Sequence, residues 1–298
     1  MYTSPNGQGI SLSLSGLYPS RSGESYALWF EVPIPATEGK HHQIQHSNTK
    51  KKLVATFTVD ANGEKKDFDT TNLVAKLGSP LALAIRAIIS VEKTGQIDTI
   101  PAAGFLAGDI SGTASTGTAT LTSSHPDALN YDYSSMTGAI TLAYAPGKPA
   151  SDLELYLMRA TSPTQTSASI NNLPQLQDQW HYTLWAVDSA TKSLPPFNIY
   201  YGTFVSPIDV DSQPNDNHYN YPGGRYPADS TQPVYDLRSG RVVVMMTLEP
   251  ITGGSRPSVP FGAVILQTTI PSSAQGFSPI ELTNRASQFP TATITIYR

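Results

Sequence analysis

Leu12 and Leu14 alternate with Ser11, Ser13 and Ser15, and Tyr26, Leu28 and Phe30 alternate with Ala27, Trp29 and Glu31. Leu153, Leu155 and Leu157 do the same against Glu154, Tyr156 and Met158. A period of two predicts strands with one buried and one exposed face. Leu81 to Val91 and Arg241 to Leu248 are apolar nearly throughout. Such runs fit strands buried on both sides or a short buried helix; the β-branched Ile88, Ile89 and Val242 to Val244 favour strand. Asp60-Ala61-Asn62-Gly63 follows Phe57-Thr58-Val59 and predicts a tight hairpin, because Asn-Gly readily takes positive φ. One helical turn is expected, from Asn72 to Leu77, closed by Gly78.

The pattern occurs twice. Leu17 with Tyr26-Ala27-Leu28-Trp29 returns 156 residues later as Leu173 with Tyr182-Thr183-Leu184-Trp185. Ser90-Val91-Glu92 is answered by Thr247-Leu248-Glu249 at an offset of 157, and Phe105-Leu106-Ala107-Gly108 by Phe261-Gly262-Ala263-Val264 at 156. Ala139 to Tyr144 aligns with Ala292 to Tyr297 at an offset of 153. Anchors in one order at near-constant spacing read as an internal duplication. The Pro/Gly cluster Ala145-Pro146-Gly147-Lys148-Pro149 cannot continue a strand and marks the linker. The expectation is therefore all-β, with two tandem sandwiches over residues 1–146 and 147–298.

These anchors carry a family resemblance. Tyr26-Ala27-Leu28-Trp29, then Ala55 to Gly63, then Ile89 to Gly95 resemble the C-terminal extracytoplasmic domain of anti-sigma-K type factors. In that family a Tyr-x-Leu-Trp strand, a Gly-x-Phe strand with an Asp-x-x-Gly turn, and a strand ending in Glu-Pro and glycines recur in this order. The second half is similar through Tyr182 to Asp188, Gly202-Thr203-Phe204, and Thr247-Leu248-Glu249-Pro250 with Gly253-Gly254. The resemblance implies Ig-like β-sandwiches and an extracytoplasmic setting. It does not imply sigma-factor capture, which the family performs with an N-terminal helical domain and a membrane helix that this sequence does not show. The first half departs in having Glu92-Lys93 in place of Glu-Pro, and insertions at Pro33 to Lys52 and Val205 to Thr231 enlarge the loops.

Composition narrows the function classes. Of the 298 residues 14% are charged and the net charge is −4. That is lean beside the roughly 25% of an average domain and offers no basic stripe for phosphate contacts. No nucleic-acid partner is expected, and Lys50-Lys51-Lys52, the longest basic run, reads as a solvated loop. No membrane span is expected, since no apolar stretch reaches the roughly 18 residues required. Met1 to Gly9 shows no signal peptide, so Met1 is either a native start outside that export route or the start of an excised form. The absence of Cys removes disulfides, thiolate nucleophiles and Cys-ligated metal, and leaves the compartment open.

Candidate chemistry is sparse. His41, His42 and His46 share one insertion and could ligate a metal, although no Cys supports them; His125, His181 and His218 are scattered. Asp209, Asp211, Asn215, Asp216 and Asn217 concentrate oxygen ligands, but without EF-hand spacing, and read equally as an Asx-turn-rich loop. Tyr219, Tyr221 and Tyr226 follow among Pro222-Gly223-Gly224, as sugar-stacking rings or as a lid over a sheet edge. Glu92 and Glu249 occupy one repeated position and are expected to accept backbone N–H bonds; Trp29 and Trp185 are expected to be packing residues. No Gly-x-Ser-x-Gly, His-Glu-x-x-His or phosphate-loop motif occurs.

No catalytic, cofactor-binding or metal residue is assigned on this basis, and no cofactor is expected. The leading expectation is a non-enzymatic, extracytoplasmic or cell-surface protein working through protein contacts. Copies of itself are the foremost partners, joined as surface or filament subunits through the edge strands 10–14 and 291–298, which lack Lys or Pro gatekeepers. The alternatives are a module binding glycan or Ca2+ through Asp209 to Tyr226, and a sensor fragment of an anti-sigma system.

Overall fold

The computed structural model describes residues 2–3, 9–34, 49–69, 76–77, 80–144, 153–156, 158–162, 165–168, 170–188, 198–204, 223–224, 237–252 and 258–298. The chain is all-β, with 54% strand and no helix of seven or more residues. It groups into two compact units that are not contiguous in sequence. The first holds Met1–Asp132, Pro250–Gly254 and Phe289–Arg298; the second holds Tyr133–Glu249 and Ser255–Gln288. The linker 145–149 and the helical turn at 72–75 and 78 lie outside the described residues; Lys76 and Leu77 are helical.

The first unit runs through β1 (Tyr2–Thr3), β2 (Gly9–Ser15), β3 (Glu24–Pro33), β4 (Thr49–Val59), β5 (Lys65–Lys66), β6 (Arg86–Lys93), β7 (Ala103–Asp109), β8 (Ser111–Gly112) and β9 (Thr116–Leu121). The second contains β10 (Thr137–Tyr144), β11 (Leu153–Tyr156), β12 (Met158–Ser162), β13 (Gln165–Ala168), β14 (Ile170–Asn171), β15 (Trp180–Asp188), β16 (Asn198–Phe204), β17 (Gly223–Gly224), β18 (Val242–Pro250), β19 (Val264–Thr269) and β20 (Pro279–Asn284). The last strand, β21 (Thr291–Tyr297), returns to the first unit.

Two sheets build the first unit, ordered β5-β4-β3-β6-β7 and β1-β2-β21-β9-β8. The Asp60 hairpin forms as the Asn-Gly signal predicts: the Asp60 carboxylate accepts the N–H groups of Asn62 and Glu64, and Gly63 takes φ +79°. Three expectations need correction. Tyr26 to Val32 is buried on both faces, not one. The second face is covered by the segment after β9, where Ala128 packs with Ala27, Trp29, Ile88 and Ala107. Lys50-Lys51-Lys52 is not a loop but half-buried strand β4, with Lys51 donating to Asp127 at 2.8 Å. The apolar run from Leu81 opens with a 3-10 turn, Leu81–Leu83, and becomes strand only at Arg86.

β21 is not an edge. All seven of its residues pair with β2, from Thr291 opposite Ser15 to Tyr297 opposite Gly9, and six pair with β9 on the other side. Ala292, Ile294 and Ile296 fill the core between them. The equivalent strand of the first half, β10, lies in the second unit with β20 on one side and β14 and β11 on the other: Thr137 pairs with Asn171, and Gly138 pairs with both Ile170 and Leu282. Ser15 opposite Thr291 thus corresponds to Asn171 opposite Thr137. That register sets the offset between the two strands at 154, one more than the sequence alignment gives. The two halves have exchanged their closing strands.

The edge of β2 is also guarded, against expectation. Lys65 donates from β5 to the carbonyl of Leu12 at 2.6 Å and lies over the Phe68 ring at 5.4 Å. Such an ammonium occupies a hydrogen-bonding position that an incoming strand would need.

Where the chain enters the second unit, one side chain fixes two segments. The Asn284 amide donates to the carbonyls of Tyr133, Ser134 and Met136 at 2.8, 3.3 and 2.8 Å, and its oxygen accepts the N–H of Ala286. Asn284→Asp keeps the acceptor but turns an oxygen toward three carbonyls. It is expected to cost about 2–4 kcal/mol, more than Asn284→Ala at about 1–3, read by urea unfolding.

Candidate functional site

The duplicated polar residues serve the scaffold. Tyr26 donates its hydroxyl to the carbonyl of Tyr18, and Tyr182 donates to that of Pro174, both at 2.9 Å and both eight residues back. Each ring packs on a phenylalanine of the next strand, Tyr26 on Phe57 and Tyr182 on Phe204, with centroids 5.6 and 5.2 Å apart. A hydroxyl reaching back to upstream backbone pins the entry of a strand while its ring stays in the core.

Trp29 and Trp185, the expected packing residues, are buried and each starts a hydrogen-bonded relay. Trp29 Nε1 donates to Ser90 Oγ at 2.8 Å, Ser90 donates to the Glu92 carboxylate, and the same oxygen accepts the N–H of Ala102 at 2.9 Å. In the second unit Trp185 Nε1 donates to Thr247 at 3.1 Å and to Glu249 at 3.3 Å. Thr247 and the N–H of Phe261 donate to the same Glu249 oxygen at 2.6 and 2.8 Å. Both carboxylates therefore accept backbone N–H bonds, as their position at a strand end suggested. The relay also corrects the third sequence anchor. A bulge at Ile89/Ser90 recurs at Met246/Thr247, and across it Leu106 and Gly104 correspond to Leu266 and Val264, an offset of 160 in place of 156. The loop after Glu249 is longer than that after Glu92, which displaces the sequence match.

Glu92 and Glu249 are buried acids, each with partners inside its own unit. Burial pushes the Glu92 carboxyl above its ordinary range, against the opposing pull of the Ser90 and Ala102 hydrogen bonds, and its Oε2 has no hydrogen-bond partner. A carboxyl raised in the folded state adds stability below its unfolded pKa and loses it as pH rises through the folded value. Glu92→Gln removes that titration. The wild type is expected to lose stability relative to Glu92→Gln as pH rises from about 4, read by urea midpoints at successive pH values.

A second polar cluster lies in the first unit. Arg86 donates to Asp109 at 2.8 Å, to Glu31 at 3.0 Å and to Asp127 at 2.5 Å, while Lys51 holds the other Asp127 oxygen. Thr49 donates to Glu31, and His125 Nε2 lies 3.6 Å from Asp109 while its Nδ1 accepts the Asp127 N–H. Burial alone would raise the Asp127 carboxyl; the Lys51 hydrogen bond and charge, with Arg86 and His125, hold it below its usual range. The positions corresponding to Glu31 and Arg86 in the second half are Val187 and Val243. The cluster ties β3, β4, β6 and β7 to the segment that covers their outer face. These contacts favour the ionised form of the Asp127 carboxyl.

Of the candidates named from sequence, His125 enters this cluster, and His181 lies half-buried on β15. His41, His42, His46, His218, the Asp209 to Asn217 loop and Tyr219, Tyr221 and Tyr226 lie outside the described residues. Among the described residues no group of three or more His, Cys, Asp or Glu is arranged to hold a metal ion, and no helix is long and apolar enough to cross a membrane. The feature that sequence reasoning missed is the slot between β2 and β9. Its signal was present: the last strand of each half was recognised, but adjacency in sequence assigned each to its own half. Comparison of the chain with protein-family models, with curated proteins and with solved structures finds no match in any of the three.

Proposed function

We propose that this chain is a non-enzymatic, extracytoplasmic structural protein that works through protein–protein contacts, built as two tandem Ig-like sandwiches of the kind found C-terminally in anti-sigma-K type factors. The strand exchange carries the reading. Closing each unit with a strand from the other half makes the halves mutually dependent, and pairings as distant in sequence as Gly9 with Tyr297 are slow to form. Such interdependence suits a structural part. The duplicated tyrosine and tryptophan placements support the Ig-like assignment, since a strand tyrosine bonded to upstream backbone and a buried core tryptophan are features of such sandwiches. The weakly charged composition and the family resemblance support the extracytoplasmic setting.

The test is the assembly state of the purified protein, by light scattering followed by negative-stain microscopy. A defined high-order oligomer or fibre is expected. A strict monomer at high concentration that also captures no protein partner would overturn the reading.

A further inference from the structure

We infer that copies of this chain join head to tail by strand exchange, the slot between β2 and β9 of one copy being filled by β21 of the next. The inference rests on the structural reading above and names its route.

Addition to the edge of β21 or to Leu12 of β2 is not available. β21 is paired on both sides along its length, and Lys65 occupies the Leu12 carbonyl on the outer edge of β2. Exchange remains, and the chain already performs it between its own halves. The donor is joined to the second unit by Phe289-Pro290 alone, after the 3-10 turn Ala286–Gln288. A short hinge that carries an exchanged element is the setting in which swapping between molecules arises, because the closed and swapped forms make the same contacts. Only hinge geometry and concentration then separate them.

The two slots differ in their lining, and β21 is fitted to the first along its whole length. In the second unit Gly138 sits where a Cβ would lie 2.9 Å from Leu266 Cδ1, 3.3 Å from Leu282 Cδ1 and 3.4 Å from Ile170 Cγ1. β21 carries Ala292 at that register, and its methyl would press on the movable tips of those three side chains. The first-unit slot accommodates it. Gly117 of β9 lies beneath Ile296, whose Cγ1 would be 2.9 Å from a Cβ there. Beyond the strand, Arg298 donates its backbone N–H to Ser115 at 2.9 Å and its guanidinium to the Thr113 carbonyl at 2.7 Å. Each copy thus offers one donor and one matching acceptor, which generates an open chain or a closed ring.

The absence of cysteine makes the test direct. Ser13 and Thr293 are exposed and face one another in register. Full-length Ser13→Cys and Thr293→Cys proteins are mixed at high concentration, oxidised, and resolved on a non-reducing gel, with the joined peptides identified by mass. The expected product is the mixed 13–293 dimer, about tenfold or more over the 13–13 and 293–293 dimers. The pair Ser11→Cys and Thr295→Cys, also opposite in register, repeats the test should either first variant fold poorly. Assembly by light scattering without an excess of either mixed dimer would overturn this route and leave the structural reading standing. Neither assembly nor mixed dimer would overturn both.

Discussion

Replacing Ile294 by Ala is expected to unfold the N-terminal unit and spare the unit that precedes it in sequence. Ile294 is fully buried, lying between Leu12 of β2 and Ala119 of β9. Loss of its three carbons with incomplete collapse costs about 2–5 kcal/mol. Hydrogen exchange locates the damage. Amides of β2 and β9, more than 170 residues away, should lose protection, while those of β19 and β20 keep theirs. Ile140→Ala, also at a fully buried site, is the mirror image and should expose β14 and β20. Were each substitution to weaken its own half of the sequence, the exchange would be refuted.

Gly108→Ala has the second large effect, and it separates two reasons for glycine. A Cβ on Gly108 would lie 2.1 Å from the carbonyl oxygen of Thr120 and 2.9 Å from its carbon. Both atoms are backbone of β9, itself paired with β21 through Thr120 and Thr293, so no side-chain rotation relieves the clash. About 3–5 kcal/mol is expected, by urea unfolding. Gly23→Ala serves as the comparison. Its Cβ meets nothing within 4 Å, but φ is +82°, so about 1–2 kcal/mol of backbone strain is expected there and no more. Equal effects at the two sites would contradict the close approach of β7 to β9.

Much of this architecture was legible in the sequence, for definite reasons. Alternation and β-branched runs placed β2, β3, β6, β11 and β18, because a pleated strand imposes its period on whatever face it buries. Asn62-Gly63 placed the hairpin, since the turn requires positive φ. The repeat placed Trp29 with Trp185 and Glu92 with Glu249, and the structure gives each pair the same hydrogen-bonding role. What failed was non-local. Nothing in Tyr26 to Val32 states that Ala128, a hundred residues on, will cover the second face. Lys50 to Lys52 looks solvated until Asp127 is brought to it. Residues 291–297 read as an edge because their two partners, β2 and β9, are remote in sequence. The guard on β2 likewise comes from Lys65, fifty-three residues away from the carbonyl it holds. The candidate site followed the same rule: the duplicated residues were visible as scaffold, while the slot exists only once the chain is folded.

The exchange itself is tested most directly by one disulfide. The account predicts that Ser13→Cys/Thr293→Cys, oxidised at high dilution, closes an intramolecular bridge that shifts the monomer on a non-reducing gel. Ser13→Cys/Ala139→Cys, which pairs residue 13 with the corresponding strand of its own half, should stay open. Closure of the second pair in place of the first would show that each half keeps its own strand, and would contradict the account.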